Sequence, residues 1–283
     1  MMINVLSAEL LKLRKRPAIW ILVGVWLALN LTFAYLFPYL SYRTGAPTGP
    51  QDPAPAAQLL STVLPANLVP NVLGGYPLFG GAIVLILGAL MTGSEYGFGT
   101  VKTLLTQRPR RVEVLGGILG ALIVVVLGLG LASFALSAGA SSLVAAAESM
   151  PGTFPPAAEL TRGLASGWLI LGMWGLLGAL AGIVFRGTSL AIGLGLVWAL
   201  VIENLIRGAA ALLDFFDPVL RALPGVNAGS LVAALTAAGS GEVRGAPGVS
   251  AVVAGTQAVV VLGCYAVGFV LVAGMLLARR DVT

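Results

Sequence analysis

The stretch VLGGILGALIVVVLGLGLASFALSAGA, residues 114–140, decides the fold class of this protein. It contains no charged residue, and it is longer than the about 20 apolar residues that an α-helix needs to cross a bilayer. Five further apolar segments stand out on either side of it. The six predicted spans are 18–40, 73–92, 114–140, 164–185, 189–211 and 252–278. We therefore predict an all-α integral membrane protein with six transmembrane helices in one domain, 18–283.

The composition agrees with this class and excludes several kinds of site. Of the 283 residues, 58% are hydrophobic and only 10% are charged, whereas about a quarter of the residues of a soluble protein are charged. The chain has no histidine, which excludes His-dependent catalysis and the usual zinc sites. Its single cysteine, Cys264, excludes an internal disulfide and a cysteine cluster. We expect no metal site, no bound cofactor and no nucleic-acid partner.

The basic residues predict the orientation of the spans. Eleven Lys and Arg residues lie on the side that the two termini share, and five lie on the opposite side. Cytoplasmic loops carry an excess of Lys and Arg. We therefore expect both termini in the cytoplasm (N-in/C-in), in a multi-pass protein of a bacterial-type cytoplasmic membrane.

Residues 1–17 precede the first span and form a predicted interfacial helix. Ile3, Leu6, Leu10 and Leu13 recur at helical spacing, and Pro17 marks a break before the apolar run. A helix on the cytoplasmic membrane surface would direct its basic residues at anionic lipid headgroups. The alternative is a frayed basic tail that only sets topology. The charged residues of this segment are Glu9, Lys12, Arg14, Lys15 and Arg16.

Two connections between spans contain further structure. Residues 41–72 are rich in proline and predict an irregular segment with one short helix near 56–64. Residues 212–238 contain two apolar stretches joined by Pro224-Gly225-Val226-Asn227. Each stretch is too short to cross the bilayer, so we expect re-entrant or interfacial helices on the outer side.

Glu203 and Arg207 are the exception in spans that are otherwise nearly free of charge. They lie one helical turn apart, which allows a side-chain pair. Counted from Arg186, Glu203 lies about 25 Å along a helix with 1.5 Å rise per residue, near the outer interface. A local ion pair that anchors the span is favoured over a substrate or ion site.

The segment after the second span contains an amphipathic stretch. Gly97-Phe98-Gly99-Thr100-Val101-Lys102-Thr103 lacks the glycine that precedes the lysine of a Walker A loop, so the chain has no recognisable nucleotide site. Apolar residues instead recur at helical spacing up to Pro109, and a basic cluster follows. The segment is either another interfacial helix or a docking element for a cytoplasmic partner.

The stretch SEYGFGTVKTLLTQRPRR (94–111) resembles the signature cytoplasmic segment of permeases of the type-2 ATP-binding-cassette (ABC) exporter family. AELLKLRKRP (8–17) is similar to the opening of that family. The order of surface helix, six spans and a long outer connection before the last span also resembles it. The matching parts of the motif are Glu95-Tyr96, Gly99-Thr100, Lys102-Thr103-Leu104-Leu105 and Arg108-Pro109-Arg110-Arg111.

The resemblance implies a half-transporter that is not itself an enzyme. Two permease chains, identical or sister chains, would form a dimer within the membrane lipids, and a separate cytoplasmic ATPase subunit would bind ATP and Mg²⁺. Residues 97–108 would be the coupling helix, tied to the spans by Glu95, and 212–238 would line the outer gate. The implied ATPase contacts are Glu95, Tyr96, Gly97, Phe98, Gly99, Thr100, Val101, Lys102, Leu104, Leu105, Arg108, Arg110 and Arg111, and the implied gate residues are Phe215, Phe216, Pro224 and Asn227.

Sparse charge in the spans favours an amphipathic or apolar cargo for the exporter, such as an antibiotic or other drug, a peptide or a lipid. Export of a drug or an antibiotic would give resistance to it.

Three other functions are weighed against the exporter. An ion-coupled secondary transporter or channel predicts inverted repeats and midplane carboxylates, and the sequence contains neither. A membrane enzyme would have to work without histidine. A structural membrane subunit is the third alternative.

Overall fold

The computed structural model of the protein describes residues 2–45, 55–97, 111–238 and 246–279, and these residues form helices and connections without a β-strand. Six helical segments within these ranges are long and apolar enough to cross a membrane, which confirms the predicted all-α membrane class. We number them as the first to sixth span. They are Pro17–Thr44, Tyr76–Tyr96, Glu113–Ala147, Ala157–Phe185, Thr188–Ala210 and Gly255–Arg279.

Several spans contain more than one helical segment. The first comprises Pro17–Leu31, a π-helical turn at Thr32–Leu36, and Phe37–Thr44. The second begins with a π-helical turn at Tyr76–Gly80 and continues as Gly81–Gly97. The fifth comprises Thr188–Leu196, a π-helical turn at Val197–Ile202, and Glu203–Ala210. The remaining spans are single α-helices at Arg111–Ala147, Ala157–Phe185 and Gly255–Arg279.

The helices of the third and fourth spans extend past the predicted ends of those spans. The third continues to Ala147 instead of 140, and the fourth begins at Ala157 instead of 164. Hydropathy marks only the apolar length, whereas backbone hydrogen bonding continues until the chain breaks it. Here the break is Ser149, with a left-handed φ of 53°, followed by three prolines before Ala157.

An N-terminal helix, Met2–Lys15, is separate from the first span. Arg16 is extended (φ −90°, ψ 111°) and Pro17 begins the next helix, as the predicted break requires. The helix packs against the third span, where a Cβ at Gly117 would overlap the side chain of Val5. Leu13 is buried in the main core. The helix therefore packs against the bundle, and its contact with the membrane surface stays a prediction.

Two pairs of short helices are bent. Ala56–Val63 is followed by a 3₁₀ turn, Pro65–Asn67, and a second helix, Leu68–Leu73, at 69°. The predicted short helix is present, and Leu68–Leu73 is an element that the proline-rich pattern did not predict. The second bent pair joins Asp214–Ala222 to Pro224–Thr236 at 77°, and its re-entrant position on the outer side stays a prediction.

Glycines bring the second and fourth spans into close contact. A Cβ at Gly88 would overlap the carbonyl oxygen of Gly175, and one at Gly178 would overlap that of Leu85. Thr92 Oγ1 donates a hydrogen bond to the Ala179 carbonyl at 2.8 Å. Small residues permit this approach of two backbones in a membrane. These two spans and the third are the most buried, whereas the first, fifth and sixth spans are mostly exposed.

Candidate functional site

The end of the second span meets the N-terminal helix in a group of charged side chains. Lys12 Nζ donates to Glu95 Oε1 at 3.0 Å, and Arg16 Nη2 donates to the same oxygen at 3.3 Å. Arg16 Nη1 also donates to Ser94 Oγ at 2.7 Å. We call Glu9, Lys12, Arg16, Ser94 and Glu95 the Glu95 cluster.

The cluster balances its own charge although its carboxylates are buried. Glu9 and Glu95 are each only 3% exposed, and Lys12 forms an ion pair with both. Burial raises the pKa of the Glu9 carboxyl, and Lys12 opposes that effect. Two carboxylates and two cations thus form a compact network, which is the arrangement that makes buried charge tolerable.

Local sequence explains how the cluster forms. Glu9 and Lys12 lie three residues apart on one face of the N-terminal helix, and Arg16 follows directly after its last residue, Lys15. Glu95 lies in the last turn of Gly81–Gly97. The cluster therefore joins the N-terminal helix to the chain immediately before residues 98–110.

This geometry corrects one part of the interfacial-helix prediction. The basic residues were expected to face lipid headgroups, but Lys12 and Arg16 face Glu95 and Ser94. Arg14 and Lys15 are exposed, and their contact with lipid headgroups stays a prediction. The difference arises because a buried carboxylate attracts the cations that can reach it.

Most of the predicted coupling helix lies outside the described residues. The helix of the second span ends with Glu95, Tyr96 and Gly97, and the helix of the third span begins at Arg111. The coupling helix 97–108 stays a prediction. The predicted contact residues beyond the described ranges are Phe98, Gly99, Thr100, Val101, Lys102, Leu104, Leu105, Arg108 and Arg110.

The predicted ion pair in the fifth span does not form. Among the described residues, ion pairs within 4.0 Å join Glu9 and Glu95 to Lys12, Glu95 to Arg16, and Glu148 to Arg43, but none joins Glu203 to Arg207. Glu203 is buried against Gly225, where a Cβ would overlap its Oε2. Helical spacing allows a pair, but packing against the second bent pair decides where this carboxylate lies.

The predicted gate residues separate into two environments. Phe215 is 83% exposed and lies edge-on to Phe216, with ring centroids 5.7 Å apart. Pro224 begins the second helix of the bent pair. Asn227 is buried, and its Nδ2 donates to the Arg221 and Leu223 carbonyls at 2.8 Å each. Asn227 therefore holds the bend, and the gating role of all four residues stays a prediction.

A second charged cluster lies at the far end of the first span and was not predicted. Glu148 accepts hydrogen bonds from Tyr39 Oη at 2.8 Å, Tyr42 Oη at 3.2 Å and Arg43 Nη1 at 3.1 Å. The hydrogen bond from Tyr39, aided by Tyr42 and Arg43, lowers the pKa of the Glu148 carboxyl. One signal in the sequence could have indicated this cluster. The YxxYR pattern at 39–43 lies at the end of the first predicted span, and Glu148 follows the third predicted span on the same side of the membrane.

Comparison with known proteins gives one family match, which covers the chain into the fifth span. A family model described as ABC-2 family transporter protein matches residues 5–202. The match includes the N-terminal helix, the Glu95 cluster and the chain through most of the fifth span. A search of curated proteins finds no match.

Proposed function

The chain belongs to the ABC-2 family of transporter proteins, whose members are membrane-spanning permease subunits, and we propose that it serves an ATP-driven exporter. The family implies an ABC ATPase as partner. The observation that carries the proposal is the Glu95 cluster, because it fastens the N-terminal helix to Glu95, two residues before the predicted coupling helix begins.

A route for coupling follows from the contacts on either side of this cluster. ATP and Mg²⁺ bind the partner ATPase, and closure of its dimer moves residues 97–108. Glu95 transmits this movement to the N-terminal helix through Lys12 and Arg16. The second span carries the fourth with it, because their backbones touch at Gly88 and Gly178.

The pathway itself needs a second permease chain and surrounding lipid in this proposal. Within the apolar parts of the first, fifth and sixth spans, only 22%, 22% and 11% of the residues are buried. In water such faces would be unfavourable, so lipid tails and a second copy or a sister chain are the surroundings that fit them. The cargo is amphipathic or apolar (a drug or antibiotic, a peptide or a lipid) because the described spans contain few charges.

The partner is tested by purifying the tagged chain in mild detergent from the membrane of its own source. We expect an ATP-hydrolysing subunit with a Walker A loop to co-purify, identified by mass spectrometry and by vanadate-sensitive ATP hydrolysis. Reversal of two predicted contact charges (R110E with R111E) should reduce its recovery about tenfold or more, since complementary charges fix such interfaces. The matched control is R221E, an exposed arginine on the predicted outer side.

Coupling is tested separately with Glu95→Ala. This variant should retain the ATPase subunit in part but lose most of the stimulation of ATP hydrolysis by the permease, because the link to Lys12 and Arg16 is gone. Glu95→Gln, of the same shape, distinguishes charge from packing, and a melting curve for each variant excludes simple misfolding. Recovery of no ATPase subunit by the parent protein, or unaltered assembly and coupling in all the variants, would overturn the proposal.

A further inference from the structure

A cleft opens where the fifth span meets the start of the second span, the fourth span and the second bent pair. Its lining includes Pro77, Trp174, Glu203, Arg207 and Gly225. It lies at the end of the bundle away from the Glu95 cluster, because Glu203 follows the cytoplasmic turn at Arg186 by most of a span. The coupling route described above makes no use of it.

Polar atoms line this cleft without a partner. Glu203 Oε1, Trp174 Nε1 and Arg207 Nε have no hydrogen bond to any residue that the structure describes. Glu203 and Trp174 are each only 2% exposed. A buried donor or acceptor left unsatisfied costs about 1–3 kcal/mol, so native structures rarely retain several together. The other oxygen of Glu203 lies against Gly225, so one carboxylate oxygen, the indole N–H of Trp174 and the Nε of Arg207 remain around one space for a ligand.

The backbone around the cleft is irregular on two sides. The π-helical turn at Val197–Ile202 ends directly before Glu203, and the turn at Tyr76–Gly80 contributes Pro77. An extra residue in a helical turn rotates the side chains that follow, and such turns recur at functional sites. The turn at Val197–Ile202 lies directly before Glu203, whose carboxylate packs against Gly225 and does not reach Arg207.

Charge and size limit the ligand. Glu203 and Arg207 present opposite charges that do not neutralise each other by contact, so a zwitterionic group matches both at once. The enclosed part of the cleft has room for a group about the size of one water molecule. A primary ammonium has that size and donates hydrogen bonds to a carboxylate, whereas a trimethylammonium is larger and donates none.

We propose that this cleft binds a zwitterionic group, with a primary ammonium at Glu203 and its neighbouring phosphate or carboxylate at Arg207. Two sources have this chemistry: the headgroup of phosphatidylethanolamine, and a water-soluble zwitterion such as phosphoethanolamine. The site goes beyond the exporter function, since binding requires neither the ATPase nor transport.

The test is a thermal-melting titration of the purified full chain in lipid-free detergent. One arm adds phosphatidylethanolamine, its N-methylated derivatives and phosphatidylcholine in mixed micelles; the other adds soluble phosphoethanolamine. We expect stabilisation that weakens with each added methyl group. Glu203→Gln and Arg207→Gln should each raise the half-saturating concentration about tenfold or more, because each removes a charge-assisted hydrogen bond.

Matched controls come from Glu159→Gln and Arg162→Gln, an acid and a base three residues apart that do not line the cleft. They should leave the half-saturating concentration unchanged. Stabilisation by the lipid alone identifies a headgroup site, and stabilisation by the soluble zwitterion identifies a site for a soluble molecule.

Equal stabilisation by phosphatidylethanolamine and phosphatidylcholine, or unchanged binding in both cleft variants, would overturn the proposal. The methylation series uses the parent protein, and Arg207 is partly exposed, so the test does not depend on the folding of Glu203→Gln. Because no ATPase is present, failure here leaves the exporter proposal intact.

Discussion

At the scale of single residues, two carboxylates hold the two ends of the first span. Glu95 binds Arg16, the residue before the first span, and Lys12 of the N-terminal helix. Glu148 binds Tyr39, Tyr42 and Arg43 at the other end of the span. Both acids come from helices that lie deeper in the bundle. The mostly exposed first span is therefore fixed by charge-assisted hydrogen bonds where apolar packing is sparse.

The Glu148 cluster predicts a pH-dependent stability. Its hydrogen bonds lower the pKa of the folded carboxyl below the usual Glu value of about 4.3. The stabilisation is therefore complete above that value and is lost as the pH falls through the lowered folded pKa. The melting temperature of Glu148→Gln should lie below that of the parent protein at pH 7, and the difference should shrink as the pH falls below about 4.

Two single-hydroxyl variants provide the check on this interpretation. Tyr39→Phe removes the shortest hydrogen bond and should reproduce much of the loss at pH 7, and Tyr42→Phe should reproduce less of it. A melting difference between Glu148→Gln and the parent that stays constant from pH 7 to pH 3.5 would contradict the predicted titration.

At the scale of helices, glycine decides which spans form the centre. The face of the fourth span that contains Gly175, Gly178 and Gly182 contacts the second span directly. The spacing of Gly178 and Gly182 was visible in the sequence, but a chain with 38 glycines offers many such pairs. Only packing distinguishes the glycines at a contact from those that face open space.

The helix contact predicts opposite outcomes for two identical substitutions. Gly178→Ala would place a Cβ against the Leu85 carbonyl, and Gly172, on the same span, has no atom within 4 Å of that position. Gly178→Ala should destabilise the fold by about 1–3 kcal/mol, as overpacking does. Gly172→Ala should be neutral or stabilising, since alanine favours helix over glycine.

The measurement for this pair is thermal unfolding in detergent, followed by helical circular dichroism. Equal melting temperatures for the two alanine variants would show that the second and fourth spans do not touch as described. A variant with alanine at Gly193, which also faces open space, extends the control to the fifth span.

At the scale of the whole molecule, the six spans and the distribution of basic residues predict one orientation. Lys15 lies on the side of the termini, and Gly152 lies in the connection between the third and fourth spans on the opposite side. Both positions are exposed. The excess of Lys and Arg on the first side predicts that it faces the cytoplasm.

Cysteine labelling in intact cells tests this orientation. In a Cys264→Ala background, Gly152→Cys should react with a membrane-impermeant maleimide, and Lys15→Cys should react only after permeabilisation. Labelling of Lys15→Cys in intact cells would reverse the orientation and would place the Glu95 cluster on the wrong side for a cytoplasmic ATPase.

Much of the architecture could be predicted from local sequence. The apolar lengths predict the spans, Pro17 predicts the break after the N-terminal helix, and residues 94–111 indicate the family. The spans could be predicted because a helix in a bilayer must satisfy its backbone within itself, so length and hydropathy suffice. Leu68–Leu73 was not predicted because prolines dominate its surroundings.

The sequence by itself determined the class of protein, the number of spans and the predicted orientation, since each depends on the residues of one segment and on the bilayer. The tertiary structure alone decided the partners of the charged residues. Lys12 meets Glu95 across 83 positions and Tyr39 meets Glu148 across 109, while Glu203 does not meet Arg207 four positions away. Helical spacing makes such contacts possible, but packing between distant helices selects among them, because it decides which charged side chains come within reach of one another.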